Sequence, residues 1–119
     1  MPEALAVETT GRLLAVEVRR ARGPIERSKG LRGLPPLARG EALVLEPAKQ
    51  VHTFGMKYPI DVVFCNSRGT ILHARRHLRP GRLTRVVLAS RFVVELGAGS
   101  LPEDLGRGDR LRLVQRSVR

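Results

Sequence analysis

The sequence predicts an all-β, or β-rich, domain: a small barrel or sandwich of six to seven short strands with one or two short helices. Three observations lead there. Short segments alternate apolar and polar residues with a period of two, the pattern of half-buried strands. Twelve glycines and eight prolines supply turn residues between them. The stretch Gln50–Asn66 holds Phe54, Tyr58 and Phe64, so that of the large aromatics only Phe92 lies outside it. Aromatic side chains bury the most area per residue, which places this stretch at the expected centre of the core.

Taken in order, residues 1–12 lack periodicity and are expected to form a flexible N-terminus, with a single domain over residues 13–119. In Leu13–Arg20, the residues Leu14, Val16 and Val18 alternate against Ala15, Glu17 and Arg19, which predicts a strand. Gly23-Pro24 ends it, and Pro24 suits the first turn of a short helix reaching about Leu31, stopped by Gly30 and Gly33. Leu34-Pro35-Pro36-Leu37 is a stiff extended connector, because a residue before proline is pushed out of the α region. Ala42–Glu46 is a short apolar strand closed by Pro47, and Gln50–Phe54 a second extended piece with a bend at Gly55.

Pro59–Cys65 carries the strongest strand signal. Proline is tolerated at the first strand position, Ile60, Val62 and Phe64 share one face, and Asp61, Val63 and Cys65 share the other. Both faces are largely apolar, which predicts a central strand. Asn66-Ser67-Arg68-Gly69 is a turn, and Thr70–Arg76 returns as its hairpin partner. After a loop at Pro80-Gly81, Val86–Ala89 adds a further short strand. In Phe92–Leu96, the residues Phe92, Val94 and Leu96 face one side, and Val93 and Glu95 the other. Ser100 and Glu103 have capping-box spacing, with Pro102 in the first turn and Gly106 to close, which predicts a second short helix. Gly108-Asp109 turns the chain into a last strand, Arg110–Gln115.

One hundred and nineteen residues fit one domain. The single cysteine allows no internal disulfide, so nothing asks for an oxidising compartment. No signal-peptide pattern opens the chain and no apolar run approaches the ~18 residues of a membrane span, so a soluble, cytoplasmic protein is expected. Of 22 basic residues only Lys29, Lys49 and Lys57 are lysine, leaving 19 arginines, and the net charge is +11. Such a surface can attract nucleic acid or an acidic protein by charge. An arginine-heavy, lysine-poor composition is equally what a GC-rich genome produces. The scarcity of exposed aromatics predicts a monomer and argues against single-strand recognition by stacking.

Three stretches, in order, resemble the bacterial and archaeal family known as domain of unknown function 192. They are Glu26-Arg27-Ser28-Lys29-Gly30-Leu31; Thr53-Phe54-Gly55-Met56-Lys57-Tyr58-Pro59-Ile60-Asp61-Val62-Val63-Phe64 with the Gly69 turn; and Val94-Glu95-Leu96-Gly97-Ala98-Gly99 with Gly108-Asp109. The chain departs from the commoner pattern at Gly55, where a Trp often precedes the Met, and at Gly40-Glu41, where a Gly-Met pair is common. The resemblance implies a compact β-barrel or sandwich with a short helix after the first strand, and no established activity.

Candidate chemistry centres on Asp61, a carboxylate expected to be partly buried and therefore to need arginine or backbone N–H partners. His52 could pair with it if Gly55 folds the chain back. A His–carboxylate pair is half of a general acid–base arrangement, making His52 and Asp61 the candidates for a hydrolase. The other half is a nucleophile, and Cys65 shares the Asp61 face as a small core side chain. The candidate ligand-binding residues are Asp61, His52, Met56 and Glu95. Arg68, Arg75, Arg76, Arg79, Arg82 and Arg85 form a cationic belt that could hold an anion or nucleic acid. His73 and His77 stand four apart, but on a strand entering a loop that spacing does not converge on one ion, so no metal site is expected. Gly97-Ala98-Gly99-Ser100 precedes the expected helix but lacks the Gly-Lys-Ser/Thr end of a phosphate-binding loop, and no cofactor is expected. The leading expectation is a non-catalytic ligand- or partner-binding β-domain, followed by an electrostatic nucleic-acid binder and then a His/Asp hydrolase.

Overall fold

The computed structural model describes residues 3–115. Eight strands and one short helix follow in the order β1 (Glu3–Val7), β2 (Leu13–Ala15), β3 (Glu17–Ala21), α1 (Pro24–Lys29), β4 (Glu41–Leu45), β5 (Ile60–Cys65), β6 (Ile71–Leu78), β7 (Phe92–Gly97) and β8 (Leu111–Gln115). They form a three-stranded sheet, β2-β1-β8, packed on a five-stranded sheet, β3-β4-β7-β5-β6. The architecture is a sandwich, and the two sheets do not close into a barrel. All pairs are antiparallel except β3 and β4, which run parallel because α1 carries the chain back between them.

Two apolar layers cover the larger sheet. Between the sheets, Val63 and Cys65 of β5 and Val94 and Leu96 of β7 meet Leu5 and Val7 of β1, with Leu101 and Leu105 sealing one end. On the outer face, Ile60, Val62, Phe64 and Val93 are covered by Leu31, Leu37, Val51 and Val87 from α1 and the long loops. The alternation expected for Pro59–Cys65 is present, since its two sets of side chains enter these two layers. β5 lies between β7 and β6 with every residue buried.

The turn after β5 forms as its residues dictate. Asn66 Oδ1 accepts the N–H groups of Arg68 and Thr70, both at 3.0 Å, and Gly69 takes φ +84.

Five expectations are corrected. Residues 3–7 do not fray: Ala4–Val7 are all buried, and β1 is the middle strand of the smaller sheet. The segment 13–20 divides at Val16, where the chain crosses from one sheet to the other. There Val16 is exposed and Ala15 buried, the reverse of the expected faces. Ser100–Gly106 forms turns instead of a helix: Leu105 N–H bonds the Pro102 carbonyl three residues back, Gly106 N–H goes to Asp109 Oδ2 at 2.8 Å, and Arg76 takes the Pro102 carbonyl that Gly106 would use in a helix. Val86–Ala89 is no strand, and Gln50–Phe54 contributes only one bridge, between His52 and Leu83.

Candidate functional site

Glu95 occupies the middle of β7, flanked by Leu43 of β4 and Val62 of β5. The alternation of β7 sends Val94 and Leu96 into the inter-sheet core and Glu95 to the outer face, beneath the C-terminal end of α1. There it is 2% exposed. Its Oε1 has no hydrogen-bond partner and is the one such buried side-chain atom among the described residues. Burial pushes the carboxyl up from 4.5 to about 7, because a low-dielectric surrounding disfavours its charged form.

A narrow cleft of about 50 Å³ leads to this carboxyl. Arg27, Lys29 and Gly30 form one wall and Val51, His52 and Met56 another. Gly30, the C-cap of α1, stands close over Glu95: a Cβ there would lie 3.7 Å from Oε1. Beside the cleft, Leu34-Pro35-Pro36 and Gly55–Tyr58 enclose a larger and mainly apolar groove of about 450 Å³. The two hollows have Leu31, Arg32 and Met56 in common. Tyr58 braces the groove by donating its hydroxyl to the Leu34 carbonyl at 2.9 Å. Desolvation, and then the charge of Glu95, raises the phenol above its usual value. At Gly55, φ is +82 and the Arg32 stem lies 2.7 Å from where a Cβ would stand, so a side chain there would displace that arginine.

Of the four candidate ligand-binding residues, the fold brings His52, Met56 and Glu95 to this cleft and sends Asp61 elsewhere. Asp61 is wholly buried on the inter-sheet face, where Oδ1 accepts His77 N–H at 2.9 Å. Its Oδ2 accepts Gly99 N–H at 3.0 Å and Leu101 N–H at 2.9 Å. Backbone donors therefore satisfy it, one of the two partner types expected, and it pins β6 and the 99–101 turn to β5. His52 is not joined to Asp61. Its Nδ1 accepts Phe54 N–H at 3.2 Å, and its ring stacks on Phe54 with centroids 5.1 Å apart. The pair required for His/Asp acid–base chemistry is thus not assembled. Burial pushes the Cys65 thiol up to about 12, leaving almost no thiolate at neutral pH.

The belt arginines Arg68, Arg75, Arg76, Arg79, Arg82 and Arg85 are all exposed. They are not equivalent. Arg76 Nη2 donates to the carbonyls of Pro102 at 2.7 Å and Leu105 at 2.5 Å, fastening the turn that replaces the expected helix. Arg85 and Arg75 lie near His73, where burial first and then their two charges lower the imidazole below its ordinary 6.5. Among the described residues, no three His, Cys, Asp or Glu side chains converge as a metal-ligand set. No helix there is long and apolar enough to cross a membrane.

The walls contributed by Arg27, Lys29, Gly30, Leu34, Pro35 and Pro36 were absent from the candidate set. No periodicity marks them, since they belong to a helix end and a loop whose cover over β7 is a tertiary contact. The signal that could have found them is the clustering of motifs. The three stretches that carry the family resemblance meet here: Arg27–Leu31 from the first, Phe54 and Met56 from the second, and Glu95 from the third.

The family model DUF192, described as "Uncharacterized ACR", matches residues 5–113. Two solved structures are similar to this chain over its length. One, from Sinorhizobium meliloti and described as a "putative transcription regulator", is 24% identical, with a TM-score of 0.77 over 92% of this chain and 90% of that one. The other, a protein of unknown function from Novosphingobium aromaticivorans, is 16% identical, with a TM-score of 0.77 over 94% of this chain and 84% of that one. At these identities the likeness is one of fold. No curated protein matches the sequence.

Proposed function

The chain belongs to the DUF192 family, and we propose that it is a non-catalytic β-domain that binds a small ligand between α1 and the Gly55–Tyr58 segment, with Glu95 at the base of the site. One observation carries the reading: Glu95 Oε1 is a buried acceptor without a partner. Leaving such a group unsatisfied costs about 1–3 kcal/mol, and more where it is charged, so a protein that keeps it gains when a ligand supplies the missing bond. The carboxyl has no structural task comparable to that of Asp61, whose three backbone bonds hold two segments in place.

The test is a fragment screen followed by amide chemical shifts on ¹⁵N-labelled protein. Binders are expected to move, saturably, the amides of residues 27–34, 50–58 and 94–97. A screen in which no fragment saturates, or in which binders move only residues 71–91, overturns the reading.

A second reading, attraction of nucleic acid by charge, is supported by the gathering of Arg75 and Arg85 about His73 on one exposed face. It predicts fluorescence anisotropy changes with both random RNA and duplex DNA that weaken steeply with salt. Reversing Arg75, Arg79 and Arg85 to Glu should abolish them. Binding confined to low salt, or unchanged by the reversal, removes this reading.

A further inference from the structure

We propose that the Glu95 cleft and the adjoining groove take one uncharged molecule, a primary amide entering the cleft on an aromatic or alkyl body that lies in the groove. This rests on the ligand-binding reading above and names its ligand class.

Three features of the site select that chemistry. Size comes first. At the roughly 10–15 Å³ that one water needs, about 50 Å³ admits roughly three to five heavy atoms, enough for the three of a carboxamide. A larger body must remain outside, and the groove of about 450 Å³ that shares Leu31 and Met56 with the cleft is the apolar space next to it.

Charge comes second. Arg27, Lys29 and Arg32 line the cleft, and among the described residues none of them is in a salt bridge. An ammonium head would have to pass these cations. A carboxylate head would be repelled by the ionised form of Glu95 and could pair only with its acid form. A neutral head meets neither cost and can pair with both forms.

Hydrogen bonding comes third. With its carboxyl pushed up to about 7, Glu95 is found in both its forms near neutral pH. A primary amide matches each: its N–H donates to the carboxylate, and its carbonyl accepts from the carboxylic acid. A hydroxyl offers one atom for both roles and cannot make the two-point pair.

Benzamide, benzoate and benzylammonium share one ring and differ only in the head, so titrating each into ¹⁵N-labelled protein isolates the head group. Benzamide is expected to move Gly30, Met56 and Glu95 amides saturably and to bind about tenfold or more tightly than either charged analogue, as the loss of one buried hydrogen bond requires. Glu95→Leu should weaken benzamide by about tenfold or more, while Glu95→Gln, which keeps a two-point amide pair, should stay within about threefold of wild type. Tighter binding of benzoate or benzylammonium overturns the amide assignment and leaves the ligand-binding site standing. Silence from all three probes, with other fragments still binding the cleft, does the same. If no fragment binds there at all, both readings fall.

Discussion

Asp61 on β5 accepts the Leu101 N–H at 2.9 Å from a turn forty residues away, the third of three backbone donors gathered by one buried carboxylate. Hydrogen bonds to a charged group are worth about 1.5–3 kcal/mol each, and a buried donor left without a partner costs a similar amount. In Asp61→Asn the side-chain NH₂ would face a backbone N–H, so at least one bond becomes a clash of donors. The substitution should cost about 3 kcal/mol in urea unfolding and leave fragment binding at the Glu95 cleft unchanged in the surviving folded fraction. Unaltered stability would contradict the pinning role.

Glu95 should make stability depend on pH in a direction opposite to that of a paired carboxylate. Below about pH 4.5 the group is protonated in both states and contributes no difference. As pH rises, the unfolded chain ionises first while the folded chain holds its proton until about pH 7, so stability falls across that window. The displacement from 4.5 to about 7 corresponds to about 3 kcal/mol. Urea unfolding of wild type and Glu95→Gln between pH 4 and 8 (roughly the range in which an acid so displaced titrates) should show the fall in the former only. Equal pH profiles would remove the buried charge from the account.

Gly69 should tolerate no side chain. Its φ of +84 already disfavours one, and an added Cβ would run into the Leu111 carbonyl oxygen, part of the backbone of β8. Neither group is the end of a flexible side chain, so relief requires moving a strand. Gly69→Ala is expected to cost about 3 kcal/mol or more, seen as a lowered Tm, whereas Gly81→Ala, with a similar φ but nothing within 4 Å, should cost less.

Adjacent arginines should behave differently. Arg76→Ala removes two donors to the Pro102 and Leu105 carbonyls and should cost about 1–3 kcal/mol. Arg75→Ala, exposed on the opposite side of β6, should stay within about 0.5 kcal/mol. Charge reversals meant to probe nucleic-acid binding are therefore interpretable at Arg75 and not at Arg76.

The parts of the fold visible in the sequence are those where local pattern and tertiary placement agree. β5 and β7 alternate cleanly, and each alternation sends its residues to the two layers as expected. The buried state of Asp61, and one of its two expected partner types, followed from placing a charge in an apolar strand. β1 escaped because Ala4-Leu5-Ala6-Val7 does not alternate; a middle strand buried on both faces carries a continuous apolar run, and a short one near a terminus resembles a fraying end. The expected helix at Ser100–Gly106 failed for a nonlocal reason, since Arg76 from β6 takes the Pro102 carbonyl that a helical bond from Gly106 would use, and Gly106 N–H turns to Asp109. The cleft was half legible. Glu95, Met56 and His52 were candidates, while the basic and proline-rich walls become neighbours only through the chain's return across β7.

The pairing of β1 with β8, Val7 opposite Leu111, has a consequence for the order in which the protein is made. Residues 8–110 must be synthesised between them, which at about 5–20 residues per second takes on the order of 5–20 s. Through that interval Ala4–Val7 has only the short β2 hydrogen-bonded to it within its sheet. The five strands of the larger sheet are complete at Gly97, before β8 exists. The smaller sheet is consequently the last part that can close: the larger sheet can already cover Leu5 and Val7, but until β8 arrives the open backbone edge of β1 is where a nascent copy could pair with another.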